Sequence, residues 1–199
     1  MDPRWRWFKG CLRALDGTFI DVRVSEHEKR SYRIRKGQVA MNVFVVCNPN
    51  MQFIYVPTSW EDSAVDSRVL RDVVHQPDGL RVPAGNYYLC DNGYANAEGF
   101  LTLYRRYYLR EWDRGSGGQQ NRQELFNLEN SSVRNVIERM FGLLKVCWGI
   151  LRSQSFFSIK VQNRIILACC MIHNFLRNEM VDDSLERELP SLVECGPDA

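Results

Sequence analysis

The order in which strand-like and helix-like segments follow one another constrains this chain most. Arg13 to Arg23 (RALDGTFIDVR) alternates around a glycine, and Val39 to Cys47 (VAMNVFVVC) is β-branched and apolar. Gln52 to Val56 (QFIYV) follows Asn48-Pro49-Asn50, a turn signal of hairpin length. Three strands in succession are expected, with the charged stretch Ser25 to Gly37 as an exposed loop or hairpin tip. Ser63-Ala64-Val65-Asp66 fits a capping box and opens a helix over Ala64 to His75 that places Val65, Val69 and Val73 on one face. Tyr87 to Cys90 reads as a fourth strand, and Asn96 to Tyr104 as a short helix. Arg110 to Gln123 is polar and Gly-rich, a long loop inserted before two final helices over Ser131 to Trp148 and Ile159 to Met180. The sequence β-β-β-α-β-(mixed)-α-α predicts an α/β fold whose mixed sheet starts antiparallel and becomes parallel where the helix crosses over.

A chain of 199 residues suits one domain, expected over residues 1–180, with residues 181–199 as a disordered tail. Apolar residues at 45% exclude global disorder. The longest apolar run, Ile165 to Ile172, is far short of the roughly 20 residues that cross a bilayer, and the N-terminus lacks a signal-peptide core. A soluble, intracellular protein is expected. The seven cysteines fit that compartment: they are odd in number, lie mostly in apolar runs and include the vicinal pair Cys169-Cys170, so they read as reduced core thiols. No C-x-x-C pair occurs and the three histidines stand far apart, which argues against structural zinc.

A net charge of +2 is too small for the whole surface to act as a polycation, but the cations cluster among aromatics. Arg4, Arg6 and Lys9 interleave with Trp5, Trp7 and Phe8. Lys29, Arg30, Arg33, Arg35 and Lys36 surround Tyr32, and Arg105, Arg106 and Arg110 surround Tyr104, Tyr107 and Tyr108. Cations that meet phosphates beside rings that stack on bases make nucleic acid the leading partner class, although solvated loops explain any one cluster about as well.

Three carboxylates stand out. Asp16 lies within the first strand and Asp91 at the end of the fourth; if those strands are neighbours, both acids face one crevice. Glu138 lies on the helix after the insertion, with Arg134 at i−4 and Lys145 at i+7 on the same face. Three convergent carboxylates can hold two Mg²⁺ or Mn²⁺ ions for phosphodiester chemistry, with Arg and Lys on the backbone phosphates. Each acid also has a plainer explanation. Asp16-Gly17 and Asp91-Asn92-Gly93 could be turn chemistry, and Glu138 with Arg134 an ordinary i,i+4 ion pair. No phosphate-binding P-loop, H-E-x-x-H or G-x-S-x-G motif is present.

Leu15-Asp16-Gly17-Thr18-Phe19-Ile20, Cys90-Asp91-Asn92-Gly93-Tyr94 and the segment Arg134 to Lys145 (RNVIERMFGLLK) resemble the three signature segments of PIF/Harbinger-type DDE transposases and the nucleases derived from them, as found in plants. The 46 residues between Asp91 and Glu138 are similar to the wide gap of that family. The resemblance implies an RNase H-like core with Asp16, Asp91 and Glu138 as catalytic, metal-binding acids, Mg²⁺ or Mn²⁺ as cofactor, and DNA cleavage as activity. It gives Arg134 and Lys145 DNA-binding or organising roles, and Asp66 an auxiliary one; Arg33, Arg35 and Lys36 are expected on DNA from their charge. It also implies a nuclear location and a separate Myb-like DNA-binding partner, with a homo-oligomer as a further expectation. Ser131 stands where the family pattern has a tyrosine, and Phe19 where many relatives have a histidine. With 15 residues before Asp16, no helix-turn-helix segment is expected upstream. The competing expectation is a domesticated, inactive relative that binds DNA or protein.

Overall fold

Val43, Phe44, Val45 and Val46 are almost completely withdrawn from water, so the strand that carries them must be covered on both faces. The computed structural model describes residues 3–34, 37–57, 66–104 and 122–179. Within these, β1 (Cys11–Asp21), β2 (Ala40–Cys47), β3 (Phe53–Tyr55), β4 (Tyr87–Leu89) and β5 (Phe100–Leu101) form one sheet in the order β3-β2-β1-β4-β5. The helices are α1 (Asp66–His75), α2 (Arg122–Cys147) and α3 (Ile159–Glu179), with short 3₁₀ turns at Pro3–Trp7 and Gly149–Leu151.

β1 and β2 are antiparallel, from Ala14 opposite Cys47 to Asp21 opposite Ala40, and β3 continues antiparallel on β2. β4 runs parallel to β1, and β5 parallel to β4. Alternate residues of the central strands feed two cores. Ala14 and Ile20 of β1, with Met41, Val43 and Val45 of β2, pack with Val133, Ile137 and Met140 of α2 and Ile166 of α3. Leu15, Phe44 and Val46 face the other way, against Val69 and Val73 of α1. The sheet is therefore sandwiched between α2 and α3 on one face and α1 on the other. This strand order and layering is the RNase H-like arrangement.

The expected first strand is displaced two residues toward the N-terminus. The region Asn96 to Tyr104 departs further, forming β5 rather than a helix. Gly99 has φ +81°, a conformation that interrupts a helix, and the neighbouring strand supplies partners: Tyr88 N–H donates to Gly99 C=O and Cys90 N–H to Leu101 C=O. α2 starts at Arg122, nine residues before the expected position. Its added turns are held by tertiary contacts, with the Phe126 ring 6.1 Å from that of Phe8 and 5.3 Å from that of Tyr104. The capping-box serine, most of the inserted loop and the tail at 181–199 lie outside the described residues.

Both sheet edges are closed by asparagines. Asn174 Oδ1 accepts the Phe53 N–H at 2.8 Å while its Nδ2 donates to Phe53 C=O at 2.7 Å. Asn127 makes the same pair of bonds to Tyr104, just beyond β5, at 2.8 and 3.0 Å. Each amide completes backbone groups that an edge strand leaves open. His173 adds a bond from its ring to Met51 C=O at 2.9 Å and an edge contact to Phe53, so the His173-Asn174 pair anchors α3 to the β2–β3 turn. No helix among the described residues is long and apolar enough to cross a membrane.

Candidate active site

Parallel pairing of Ala14 with Leu89 fixes the register that brings two of the expected acids together. Two residues further along each chain stand Asp16 and Asp91, level with one another and on the α2 side of the sheet. Asp16 is therefore a mid-strand residue and not part of a turn. Gly17 leaves room for its neighbour strand, because a Cβ there would collide with Asn42 Oδ1. The Gly17 N–H donates to Asp16 Oδ1 at 2.8 Å, which fixes that carboxylate. Asp91 lies two residues past the end of β4 and opens a turn in which the Tyr94 N–H donates to the Asp91 C=O.

Arg134 comes down between them from α2. Its Nη2 donates to Asp16 Oδ2 at 2.6 Å and its Nη1 to Asp91 Oδ1 at 3.2 Å. The guanidinium side chain is 5% exposed, against 19% for Asp16 and 44% for Asp91. This cation is thus committed to the two acids, and its i,i+4 neighbour Glu138 does not take it. Arg134 Nε is buried without a hydrogen-bond partner. One turn on, Glu138 is exposed on the same helical stripe. At the far end of that stripe Lys145 Nζ donates to Phe19 C=O at 2.9 Å, so α2 lies along β1 from Asp16 to Phe19. Burial lowers the Lys145 pKa, with Asp21 nearby acting in the opposite direction.

Two thiols flank the carboxylates. Burial, reinforced by the Asp16 charge, pushes Cys47 up to about 12. Burial also raises Cys90, with Arg134 opposing and Asp16 adding to the rise. Both stay neutral in the metal-free chain, so neither supplies a thiolate nucleophile. All six described cysteines are free.

The structure joins Asp16, Asp91 and Arg134, and leaves Glu138 out of contact with them. Among the described residues, no group of three or more His, Cys, Asp or Glu is gathered to hold a metal ion. The donor chemistry nevertheless fits a hard divalent cation: two carboxylates converge on one positive group, and a third lies one helical turn away. Asp66 is the first residue of α1, and its side chain lies outside the described residues, as do Arg35 and Lys36. Arg33 is exposed beside the Arg33–Val39 bridge. In the first two aromatic clusters Trp5, Phe8 and Tyr32 are buried in the core, while Trp7 is 64% exposed with Arg6 over its ring; of the third, Tyr104 is half-exposed and residues 105–110 lie outside the described residues. The bridging role of Arg134 was not visible from sequence. Its place on the Glu138 stripe points equally well to DNA or to the helix's own carboxylate, and the family resemblance offers a DNA-binding or organising role without naming the partner.

An RNase H-like sheet with one aspartate on β1 and a second, level with it, just past the end of the parallel β4 defines the class of this chain as a nuclease-type core. The family model for DDE superfamily endonucleases matches residues 15–174, and the chain belongs to that family. It is 25% identical to the protein named "Putative nuclease HARBI1" of Bos taurus over 170 residues, covering 83% of this chain and 45% of that one. The Xenopus laevis protein of the same name is 23% identical over 194 residues, 94% of this chain and 50% of its own. "Protein ALP1-like" of Arabidopsis thaliana is 25% identical over 194 residues, 88% of this chain and 45% of its own. The chain spans about half the length of the curated relatives it matches. These matches support the Harbinger-type resemblance carried by the three segments. No solved structure matches the chain.

Proposed function

We propose that this chain is the catalytic core of a divalent-metal-dependent, transposase-like DNA endonuclease. The observation that carries this reading is the level placement of Asp16 on β1 and Asp91 just beyond the end of the parallel β4, bridged by Arg134 from the helix that bears Glu138. Asp16 and Asp91 would hold Mg²⁺ or Mn²⁺ between them, with Glu138 completing the set. Such an ion supplies a polarised phosphoryl oxygen and an acidified water for hydrolysis. The chain's own residues do the rest. Gly17 N–H orients Asp16, Arg134 balances the charge of the acid pair, and Lys145, with donor capacity left beyond Phe19 C=O, meets a backbone phosphate. Exposed Arg33 would add a further phosphate contact, and the charges of Arg35 and Lys36 suit the same role. The reading includes action in the nucleus alongside a separate Myb-like DNA-binding partner, which would supply sequence specificity.

Incubation of supercoiled plasmid with the purified chain in Mg²⁺ or Mn²⁺ tests it. Nicking that EDTA stops and Asp91→Asn abolishes is expected, with DNA affinity retained or raised in the variant because a negative charge near phosphate is removed. Equal cutting by the variant would remove Asp91 from the site.

One observation favours a second reading, a DNA- or protein-binding module without catalysis. Arg134 already neutralises both aspartates, and Glu138 makes no contact with them. Folded protein that binds DNA, takes up no metal and cuts nothing would select this alternative.

A further inference from the structure

Beyond the end of β1 the chain borders an open hollow of about 640 Å³, within the size range of ligand sites. One wall is the stretch from Arg23 to Tyr32, and the other is the approach to α3 from Phe156 to Lys160. Phe156 is 86% exposed and the adjacent Phe157 is 52% exposed. The Arg23 guanidinium lies over Phe156, 4.9 Å from the ring centroid, which leaves the ring's other face open.

These rings are not on a loose tip. Ser155 bridges to Val22, the Phe157 N–H donates to Ser155 Oγ at 3.3 Å, and Gln162 Nε2 donates to Phe157 C=O at 2.7 Å. Gln162 is itself buried. A pinned backbone that holds two phenylalanines in water displays apolar surface that folding alone would hide. Among the described residues of the lining the cations are Arg23 and Lys160, while the one acid, Glu28, accepts hydrogen bonds from Ser25.

We propose that this hollow is a subsite for an unpaired nucleotide of a DNA strand, with its base stacked on Phe156 and its phosphate between Arg23 and Lys160. Aromatic faces beside cations suit single strands, whose bases are free to stack, and not the closed stack of a duplex. Val22 belongs to the same core as Asp16's face of β1, so hollow and acids share one side of the sheet. The seven residues from Asp16 to Arg23 span about 23 Å along an extended strand, about seven nucleotide steps. The proposal rests on the DNA-endonuclease reading for the identity of its ligand, but not on cleavage.

Fluorescence anisotropy in EDTA, where no cutting occurs, tests it with a blunt duplex and the same duplex carrying a single-stranded flank. The chain is expected to bind the flanked DNA more tightly. Phe156→Ala should weaken that binding about tenfold and leave the blunt duplex unchanged, whereas Phe156→Trp should retain it. Lys160→Ala should reduce the log-log salt slope for flanked DNA by about one. Phe156 is too exposed for its loss to unfold the chain, and matching melts would confirm this. The proposal is overturned if Phe156→Ala binds both DNAs like the parent, if it weakens both equally, or if the chain binds neither. Normal flank binding by a chain that fails the plasmid assay would sink the nuclease reading alone.

Discussion

Arg134 Nη2 donates to Asp16 Oδ2 at 2.6 Å, joining α2 to the middle of β1 across 118 positions of sequence. The oxygens that a divalent cation would use are therefore held by a cation that belongs to the chain. Guanidinium and metal compete for the same lone pairs, which makes folding stability and metal affinity interdependent.

Arg134→Met keeps the stem of the side chain and removes its charge. The two carboxylates then lose the cation that bridges them, and the metal-free protein is expected to lose roughly 2–3 kcal/mol, less than a fully buried pair because Asp91 is partly solvated. Mn²⁺ should raise the melting temperature of this variant by more than it raises the parent's. Equal shifts in paired thermal melts would show that the guanidinium does not compete.

The amide clamp at the β3 edge predicts a graded series. Asn174→Leu leaves both Phe53 backbone groups without their partner and should cost about 1–3 kcal/mol. Asn174→Asp keeps the acceptor for the Phe53 N–H but not the donor for its C=O, so its denaturation midpoint should fall between the two. Midpoints that do not separate would assign α3 docking to apolar contacts alone.

His173 gives a pH dependence. Burial lowers its pKa below the ordinary 6.5; the bond to Met51 C=O acts upward, and Arg177 adds to the lowering. The unfolded chain therefore binds the proton first as pH falls below about 6.5, and stability rises with pH in that window. The contribution is fully present above the unfolded value and is lost as pH drops toward the folded one. Denaturation midpoints of the parent should decline from pH 7 to pH 5, and His173→Gln should show a flatter profile. Parallel profiles would mean that other groups carry the decline.

Much of this architecture was legible because β1, β2 and α3 declare themselves locally. The β-branched run of β2 and the apolar run of α3 leave few alternatives, and the local patterns put Asp16 within a strand and Glu138 on a helix, where they lie. β5 escapes a reading by periodicity because two residues of strand leave no period to detect, and their pairing with β4 is decided by partners twelve residues away. The first turns of α2 were missed for a related reason: Phe126 and Asn127 are fixed by Phe8 and Tyr104, which only the folded chain brings near. At the site, the sequence places Asp16 within a strand and Asp91 at the end of one, which β4 in fact reaches two residues earlier, but it does not say whether those strands are neighbours. That Arg134 serves the aspartates and not Glu138 follows from how far α2 lies over β1, a distance that no spacing encodes. The exposure of Phe156 was equally hidden, since an adjacent pair of phenylalanines ordinarily reads as core.

The central claim is that Asp16 and Asp91 form a divalent-metal site. Calorimetric titration of Mn²⁺ into the metal-free chain tests it most directly, with Asp16→Asn, Asp91→Asn and Arg134→Met measured alongside. Saturable binding that either asparagine variant abolishes and that Arg134→Met tightens is the predicted result. An absence of binding by the folded parent, or affinities unchanged in both asparagine variants, would contradict it.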